Sequence, residues 1–488
     1  MRKRFLVGVL CGVLTLSLSG CGREKVEYGQ QETVQSESDA GEVTEEGYVY
    51  TDGIAKTIGA EEKIQEQIET NDGKKLNIYG DVIVPDVKTL NVYSATRQEI
   101  NTEFKKQMVD AFSDDGVIYC GEEDKLPKSA LKQNVLLCEC QQKNLEAEYA
   151  EGYFDDDLYR EYQAECDEKQ TYYNNLYEQA GDTYQKTDYD AWEDGEKVVI
   201  YHDGVPYYMG AYDYSMDCFA VDYIDVLTDL PDDAEAVAGY VYGYNGYGRR
   251  VDDEEEQEKL KKAAADFADM IGVGSFTVAD FEDICYAGFT VYRTEGEMEG
   301  KDCGYYVRLC RTLDGVKVDA NSYLGVPTYV GMQEMMDGNL MTEYKPMESM
   351  TIVLDEAFQV IGFQYEWPLH MPEVESTKVS LLSYKTIKEN LLDSLAKQPV
   401  EDGTGSISDE EGNVSYEIEQ NYTDLELLYF RMENPDKVGE YLLVPAWRLE
   451  VSGADYYRDN ACVINAIDGS RIDILKEVFE LVEVDTEE

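Results

Sequence analysis

Tyrosine is the residue type in this chain that is concentrated in one region and that could bind a ligand. The sequence contains 40 tyrosines, and 19 of them lie between Tyr149 and Tyr247. In the run GYVYGYNGYGRR, an Asn-Gly pair predicts a loop that displays four rings beside two arginines: Tyr240, Tyr242, Tyr244, Tyr247, Arg249 and Arg250. Such rings could stack on a glycan or bind a peptide. Tyrosine is also common at half-buried strand positions, and this second interpretation is the stronger one.

Signatures of known catalytic sites are mostly missing. The sequence has no HExxH, phosphate-loop or GxSxG pattern, and its two histidines, His202 and His370, are far apart. An SxxK spacing begins at Ser129 and again at Ser394 without an accompanying KTG, and chance explains both. A carboxylate pair that hydrolyses glycosides is defined by its separation in space, so the sequence leaves that possibility open. We expect no enzyme activity and no cofactor.

Acidic runs match metal ligands in type but not in spacing. The runs at 155–157 and 252–256 lack the alternating order of an EF-hand loop, and Asp188 and Asp190 begin such an order that Trp192 interrupts. Solvated charge is the better interpretation, so we predict no metal site.

Cysteine usage predicts few disulfides. Besides Cys11 and Cys21 the chain has nine cysteines, an odd number, and Cys138 and Cys140 form a lone CxC. Cys303 and Cys310 are seven residues apart in a strand-like run and face opposite sides of a sheet. We expect most of these thiols to be buried and small.

The start of the chain predicts a membrane anchor. Three basic residues at 2–4 precede an apolar run over 5–18, whose 14 residues are too few to span a bilayer and are typical of a secretory signal peptide. The order Leu18-Ser19-Gly20-Cys21 resembles the lipobox of bacterial lipoproteins. The resemblance implies a signal peptide over 1–20, a lipid on Cys21 and a place on the extracytoplasmic face of the cell membrane. The alternative is a chance cysteine beside an ordinary cleavage site.

Composition separates a tether from a large acidic body. Residues 21–47 are polar, acidic and nearly free of large apolar side chains, which predicts disorder. The formal charge is −60 and becomes −63 if three basic residues leave with the signal. This charge disfavours nucleic acid and anionic lipid headgroups as partners. With 43% hydrophobic residues, the rest of the chain folds.

Patterning in the body predicts an α+β fold with antiparallel sheets, each packed by amphipathic helices. Strands are predicted over 75–95, with Pro85 as a break. Three Asp-Gly turns predict β-hairpins, at Asp203-Gly204, Asp314-Gly315 and Asp468-Gly469.

Four helices are predicted from apolar periodicity. The first begins at a capping box of Thr96 and Glu99, and the second runs from about Glu146 to Tyr184. The third presents Leu260, Ala264, Phe267, Ala268 and Ile271 on one face, and the fourth, after Ser383, presents Tyr384, Ile387, Leu391 and Leu395. Three modules follow, over 48–250 (an α+β region with a Tyr-rich acidic middle), 251–375 (helix plus hairpin) and 376–488.

The carboxyl-terminal run YLLVPAWRLEVSG and the later VINAIDGSRIDI resemble the last domain of extracytoplasmic regulators of the YycH/YycI type and related PepSY-like modules. The mature chain also resembles an uncharacterised lipoprotein family of Clostridia, a domain of unknown function. The first resemblance implies a non-catalytic module that tunes a membrane histidine kinase. Folding alone explains its motif residues: Trp447 is expected in the core, Pro445 at an edge or bulge and Asp468-Gly469 in a turn.

Three functional hypotheses follow. The first, which we favour, is a membrane-anchored, non-catalytic lipoprotein that contacts an envelope protein such as a membrane sensor. The second is a glycan- or peptide-binding lipoprotein that uses the Tyr-rich region. The third is a hydrolase with an unrecognised carboxylate site.

Overall fold

The computed structural model describes residues 42–44, 47–71, 73, 75–193, 195–212, 223–228, 237–241, 249–279, 284–292, 298–320, 340–370, 372–397, 407–408, 414–415, 420–452 and 461–483. The helices are α1 (Ile54–Ile58), α2 (Thr102–Phe112), α3 (Lys128–Glu151), α4 (Asp156–Gln179), α5 (Glu254–Met270), α6 (Tyr384–Lys397) and α7 (Ile474–Val478). The strands are β1 (Glu42–Thr44), β2 (Gly47–Val49), β3 (Lys63–Glu69), β4 (Lys75–Ile83), β5 (Val92–Thr96), β6 (Tyr119–Cys120), β7 (Lys197–His202), β8 (Val205–Tyr212), β9 (Tyr223–Thr228), β10 (Val237–Val241), β11 (Phe276–Val278), β12 (Ile284–Tyr292), β13 (Met298–Leu313), β14 (Val316–Lys317), β15 (Leu340–Tyr344), β16 (Ser349–Leu354), β17 (Val360–Glu366), β18 (Glu373–Ser376), β19 (Ile407–Ser408), β20 (Val414–Ser415), β21 (Gln420–Glu433), β22 (Glu440–Ser452), β23 (Cys462–Asn465), β24 (Arg471–Ile472) and β25 (Phe479–Glu483).

An eight-stranded sheet joins the beginning and the end of the chain. Its order is β18-β5-β22-β21-β4-β3, with β23 on β22 and β24 on β23. The pairs are antiparallel except β21 with β4, which run parallel. Helix α6 packs on one face, where Tyr384 meets Trp447 edge to face at 5.7 Å. Residues 441–449 of β22 are buried without alternation, because both faces of this sheet are covered.

The middle of the chain forms an eleven-stranded sheet. Its order is β10-β12-β13-β16-β17-β9-β8-β7-β6, with β11 and β14 also paired to β13. Helices α2 and α5 pack on one face through Phe112 and Phe267, whose rings lie 6.0 Å apart edge to face. A further helix, α3, contacts β10 and β12, and its first turn packs on Tyr208 of β8.

Helices α3 and α4 form an antiparallel helical hairpin. Gly152 ends α3 in the left-handed conformation (φ 87°), which glycine adopts without strain. Asp155 then caps α4 by accepting hydrogen bonds from the backbone N–H groups of Asp157 (3.0 Å) and Leu158 (2.9 Å). Gln142 of α3 donates to Asp167 of α4 at 2.9 Å.

The two large sheets meet at the β13–β14 turn. The carboxylate of Asp314 accepts hydrogen bonds from the amide of Asn91 (3.1 Å) and from the hydroxyl of Tyr93, both in the eight-stranded sheet region. Val318 forms a parallel bridge with Tyr429 of β21. A predicted turn residue therefore also fastens one sheet to the other.

The α+β class with antiparallel sheets and packed helices is confirmed. Each predicted Asp-Gly turn connects two paired strands, and at the first two turns both residues have positive φ. The third connection is longer, and only Gly469 has positive φ there. All the apolar face residues predicted for α5 and α6 are buried.

Two helix predictions are wrong in their boundaries. Thr96 does not cap a helix, because it is the last residue of β5 and pairs with Glu440. Asn101 caps α2 instead, accepting from Phe104 N at 3.0 Å. The single helix predicted from about Glu146 to Tyr184 is two helices, since Gly152 ends α3.

Pro445 is not at a sheet edge, because β22 lies inside the sheet. On one side β22 pairs with β5 as far as Leu443 and with β23 from Ala446 onward. Pro445 lies at this change of partner. Proline has no backbone N–H, and at this position no hydrogen bond to a neighbouring strand is lost on that side.

The sheets group strands differently from the predicted modules. Region 48–250 contributes β3–β5 to the eight-stranded sheet and β6–β10 to the eleven-stranded sheet. At the end of the predicted tether, β1 pairs with β2. Within the described residues, no helix is both long and apolar enough to cross a membrane.

Candidate functional site

Most of the site residues predicted from sequence lie outside the described residues. These are Cys21, Tyr242, Tyr244 and Tyr247. The backbone of Tyr240 lies in β10 and pairs with Phe289 of β12, as the strand interpretation predicts. The tyrosine loop therefore stays a prediction.

Exposed aromatic side chains concentrate on the helical hairpin instead. Helix α4, which is described throughout, has no buried side chain. The exposed fractions are 72% for Tyr153, 36% for Leu158, 38% for Tyr162 and 46% for Tyr172. We call these four residues the tyrosine face. Leu158 and Tyr162 are one helical turn apart and therefore adjacent.

The tip of the helical hairpin is held by aromatic contacts. The rings of Tyr149 and Tyr159 stack with centroids 4.0 Å apart, and Phe154 meets Tyr162 edge to face at 5.4 Å. The Tyr149 hydroxyl donates to Asp156 at 2.8 Å, and this hydrogen bond raises the pKa of Tyr149. The tyrosine face is thus presented on an ordered support.

Sequence patterning predicted a helix here but not the exposure of its rings. The sequence spacing predicts that one helical face contains Leu158, Tyr162, Cys166, Tyr173 and Tyr177. The half-buried members of that set, Cys166 and Tyr173, lie toward α3, whereas Leu158 and Tyr162 are more exposed. The sequence feature that could have indicated exposed rings is the high density of tyrosines beside acidic residues.

An open groove of about 480 Å³ lies between α2 and the end of α5. Its lining residues are Glu103, Lys106, Gln107, Asp110, Ala111, Met270 and Ile271. Gln107 donates to the Ile271 carbonyl at 3.0 Å and joins the two helices. The lining contains no cysteine, serine or histidine, and its ionisable groups are the side chains of Glu103, Lys106 and Asp110.

A buried ion pair occupies the end of the eleven-stranded sheet. Glu348 accepts two hydrogen bonds from Arg311, at 2.5 and 2.7 Å, and one from the Tyr365 hydroxyl at 2.7 Å. Burial alone would lower the pKa of Arg311, but Glu348 and Tyr365, through their charges and their hydrogen bonds, together outweigh burial and raise this pKa above its usual value. The Leu369 N–H also donates to Glu348 (2.8 Å), so this carboxylate has no capacity left for a substrate.

A second charged cluster lies between the two sheets. Arg448 forms ion pairs with Asp319 and with Glu426 (3.3 Å), and Lys317 approaches Glu426 at 3.0 Å. The cavity that these residues share with Cys310 measures about 10 Å³, room for about one water molecule. Burial raises the pKa of the Cys310 thiol to about 12, so it is a poor nucleophile.

The two histidines have structural contacts. The His202 ring stacks on Phe112 with centroids 4.3 Å apart, and its Nδ1 lies 2.6 Å from the Phe112 carbonyl oxygen. The backbone N–H of His370 donates to the Thr96 carbonyl at 2.7 Å, and the side chain of His370 is exposed. Nearby, the N–H groups of Gly204 and Asp203 lower the pKa of the Asp114 carboxyl.

The acidic runs begin helices. Asp155 caps α4, and Asp253 caps α5 by accepting from Glu256 N at 2.8 Å. The part of the chain that the structure describes holds no group of three or more His, Cys, Asp or Glu placed to bind a metal ion. Within the described residues, the free thiols include Cys120, Cys138, Cys166, Cys310 and Cys462.

No family model matches this chain, and no curated protein matches it. Among solved structures, it is similar to a crystal structure described as an uncharacterized protein from Eubacterium rectale ATCC 33656. The two chains are 14% identical, the alignment covers 84% of this chain and 95% of that chain, and the TM-score is 0.36. The description of that protein gives no activity, so the likeness says nothing about function.

Proposed function

We propose that this chain is an extracytoplasmic lipoprotein, anchored to the cell membrane through Cys21, that binds an envelope protein without catalysis. The tyrosine face of the helical hairpin is the proposed contact surface. The exposure of that face, which the fold does not require, is the observation that carries the proposal.

Clustering distinguishes these side chains from ordinary surface residues. A single exposed apolar residue needs no explanation, but several together mark an interaction surface. Eleven large apolar side chains are exposed among the described residues, and five of them lie between Tyr153 and Tyr177. Tyrosine is also enriched at protein interfaces because its ring is apolar and its hydroxyl can form hydrogen bonds.

The buried charges support binding rather than hydrolysis. Glu348 is held by Arg311, and Asp319 and Glu426 are held by Arg448. A general acid needs a carboxyl group that can exchange its proton with a substrate. These three carboxylates instead hold the fold together.

The anchor is tested by fractionating cells that express Cys21→Ala. We expect the wild-type chain in the membrane fraction and the variant in the soluble extracytoplasmic fraction, because two acyl chains are needed for stable anchoring. Retention of the variant in the membrane would contradict the lipid anchor.

The contact surface is tested by placing a photo-crosslinking amino acid at Tyr162 in intact cells. Tyr79, on β4 of the eight-stranded sheet, is the matched control because it is a tyrosine that is 61% exposed. We expect one reproducible protein adduct from position 162 and none from position 79. Equal adducts from both positions, or none, would reject the helical hairpin as the contact surface.

A further inference from the structure

We infer that the tyrosine face binds a lysine- and arginine-rich segment of a protein. This inference rests on the proposed function, because it names the chemistry of the partner that the helical hairpin would contact. It is carried by the charge of the hairpin tip, by the placement of its rings and carboxylates, and by cation sites elsewhere in this chain.

The tip of the helical hairpin has an unusual charge. Residues 144–168 contain ten Asp or Glu and one basic residue, Arg160. In the whole chain the corresponding numbers are 102 and 42 of 488 residues. Arg160 already approaches Asp157 at 3.3 Å, and the next basic residue, Lys169, ends the acidic stretch. The net negative charge per residue is therefore higher at the tip than in the chain as a whole, which is itself acidic.

Carboxylates lie beside the exposed rings. Glu165 is three residues after Tyr162 and four after Glu161, so its side chain neighbours both of theirs on α4. Both glutamates are exposed, as is Tyr162. A cation over the ring of Tyr162 would also be within reach of these carboxylates.

The same combination of ring and carboxylate holds lysine within this chain. Lys388 lies 5.8 Å from the Tyr384 ring and approaches Glu61 and Glu66 at 3.0 and 3.1 Å. Lys63 lies 6.0 Å from the Tyr79 ring and 2.8 Å from Asp81. The tyrosine face presents the same two groups, an aromatic ring and a carboxylate, to a binding partner.

A cationic protein segment fits this surface better than other ligands. Anionic lipid and nucleic acid are repelled by the carboxylates. Arginine fits best, because its planar guanidinium stacks on rings and pairs with carboxylates. A glycan would use the rings but would gain little from the charge.

The test measures binding of fluorescent octa-arginine to the full chain in a non-ionic detergent by anisotropy. Tyr153→Ala/Tyr162→Ala is expected to weaken binding about two- to fivefold for each ring removed. Glu161→Gln/Glu165→Gln is expected to weaken it several-fold. Tyr162→Phe, which keeps a ring, is expected to bind like wild type, and octa-lysine is expected to bind less tightly.

Two controls separate this site from general attraction to an acidic protein. Glu255→Gln/Glu258→Gln removes the same charge from the exposed side of α5, and Tyr79→Ala removes an exposed ring from another surface. Both should leave the affinity unchanged. Circular dichroism of each variant confirms that it is folded.

The inference would be overturned if the α5 variant weakened octa-arginine binding as much as the α4 variants do, or if the double tyrosine variant kept the wild-type affinity. Binding of a soluble wall glycan to the tyrosine face in place of octa-arginine would also overturn it. If octa-arginine does not bind while the adduct from position 162 persists, the inference fails and the proposed function stands. If octa-arginine binds as expected but no adduct forms in cells, the proposed function fails instead.

Discussion

Strand β22 and helix α4 use aromatic residues in opposite ways. Tyr441 and Trp447 of β22 are buried under helices and neighbouring strands, whereas Tyr162 and Tyr172 of α4 are exposed. Burial of apolar area explains the first pair completely, at about 1.5–3 kcal/mol for a large apolar side chain. It does not explain the second pair. Residues that stability leaves unexplained are where a binding function is best sought.

The largest expected difference between these regions is in the cost of removing a ring. Trp447→Ala should lower the free energy of unfolding by about 3–5 kcal/mol, because it leaves a cavity against Tyr384. Tyr162→Ala should lower it by about 1 kcal/mol at most, because the exposed ring loses only its edge-to-face contact with Phe154. Urea denaturation followed by circular dichroism measures both. Similar losses would mean that the helical hairpin is part of the core.

The buried ion pair sharpens the comparison within the eleven-stranded sheet. Glu348→Gln should lower the free energy of unfolding by about 3 kcal/mol, because Arg311 would keep a buried charge without its counterion. Glu255→Gln, which breaks an exposed pair with Lys259, is the control and should leave the urea midpoint nearly unchanged, because solvent screens an exposed pair. Equal shifts of the urea midpoint would show that Glu348 is solvated.

Helix caps test whether the helical hairpin unfolds separately. Asn101→Ala removes the cap of α2, which packs in the core. This variant should lower the free energy of global unfolding by about 1 kcal/mol. Asp155→Ala removes the cap of α4 and should speed hydrogen exchange in α4 alone. Faster exchange in β7 and β8 of the second variant would contradict that separation.

The smallest effect concerns pH at the β7–β8 turn. Asp114 accepts hydrogen bonds from Asp203 N (2.8 Å) and Gly204 N (3.0 Å), which lower its pKa from 3.8. Because the pKa of Asp114 is lower in the folded than in the unfolded protein, the carboxylate stabilises the fold at pH values above the unfolded pKa of 3.8. This contribution is lost as the pH falls through the folded-state pKa. Wild type should therefore be more stable than Asp114→Asn at neutral pH and should converge with it in acid. If the two urea midpoints still differed in acid, the charge of the Asp114 carboxylate would not be the cause of the difference in stability.

Local patterns in the sequence predicted much of the fold. Asp203-Gly204 predicted its hairpin because both residues tolerate positive φ, and the apolar spacing after Ser383 predicted α6. The Thr96 capping box failed because pairing with Glu440, far along the chain, takes precedence. Local sequence cannot show such long-range partners.

The candidate site was less predictable. The rings around Tyr162 were expected on a helix, but their exposure depends on where α3 and α4 lie relative to the sheet. The ion pair of Arg311 with Glu348 joins residues from β13 and from the segment before β16, and no local motif marks it. Both features arise from tertiary packing.

The yield of the photo-crosslinked adduct from Tyr172 tests the central claim most directly. It would be measured in wild type and in Tyr153→Ala/Tyr162→Ala, both confirmed as folded by urea denaturation. We predict that the adduct forms in wild type and is largely lost in the variant, because Tyr153 and Tyr162 form much of the surface that contacts the partner. An undiminished adduct in the variant would contradict the assignment of binding to the tyrosine face.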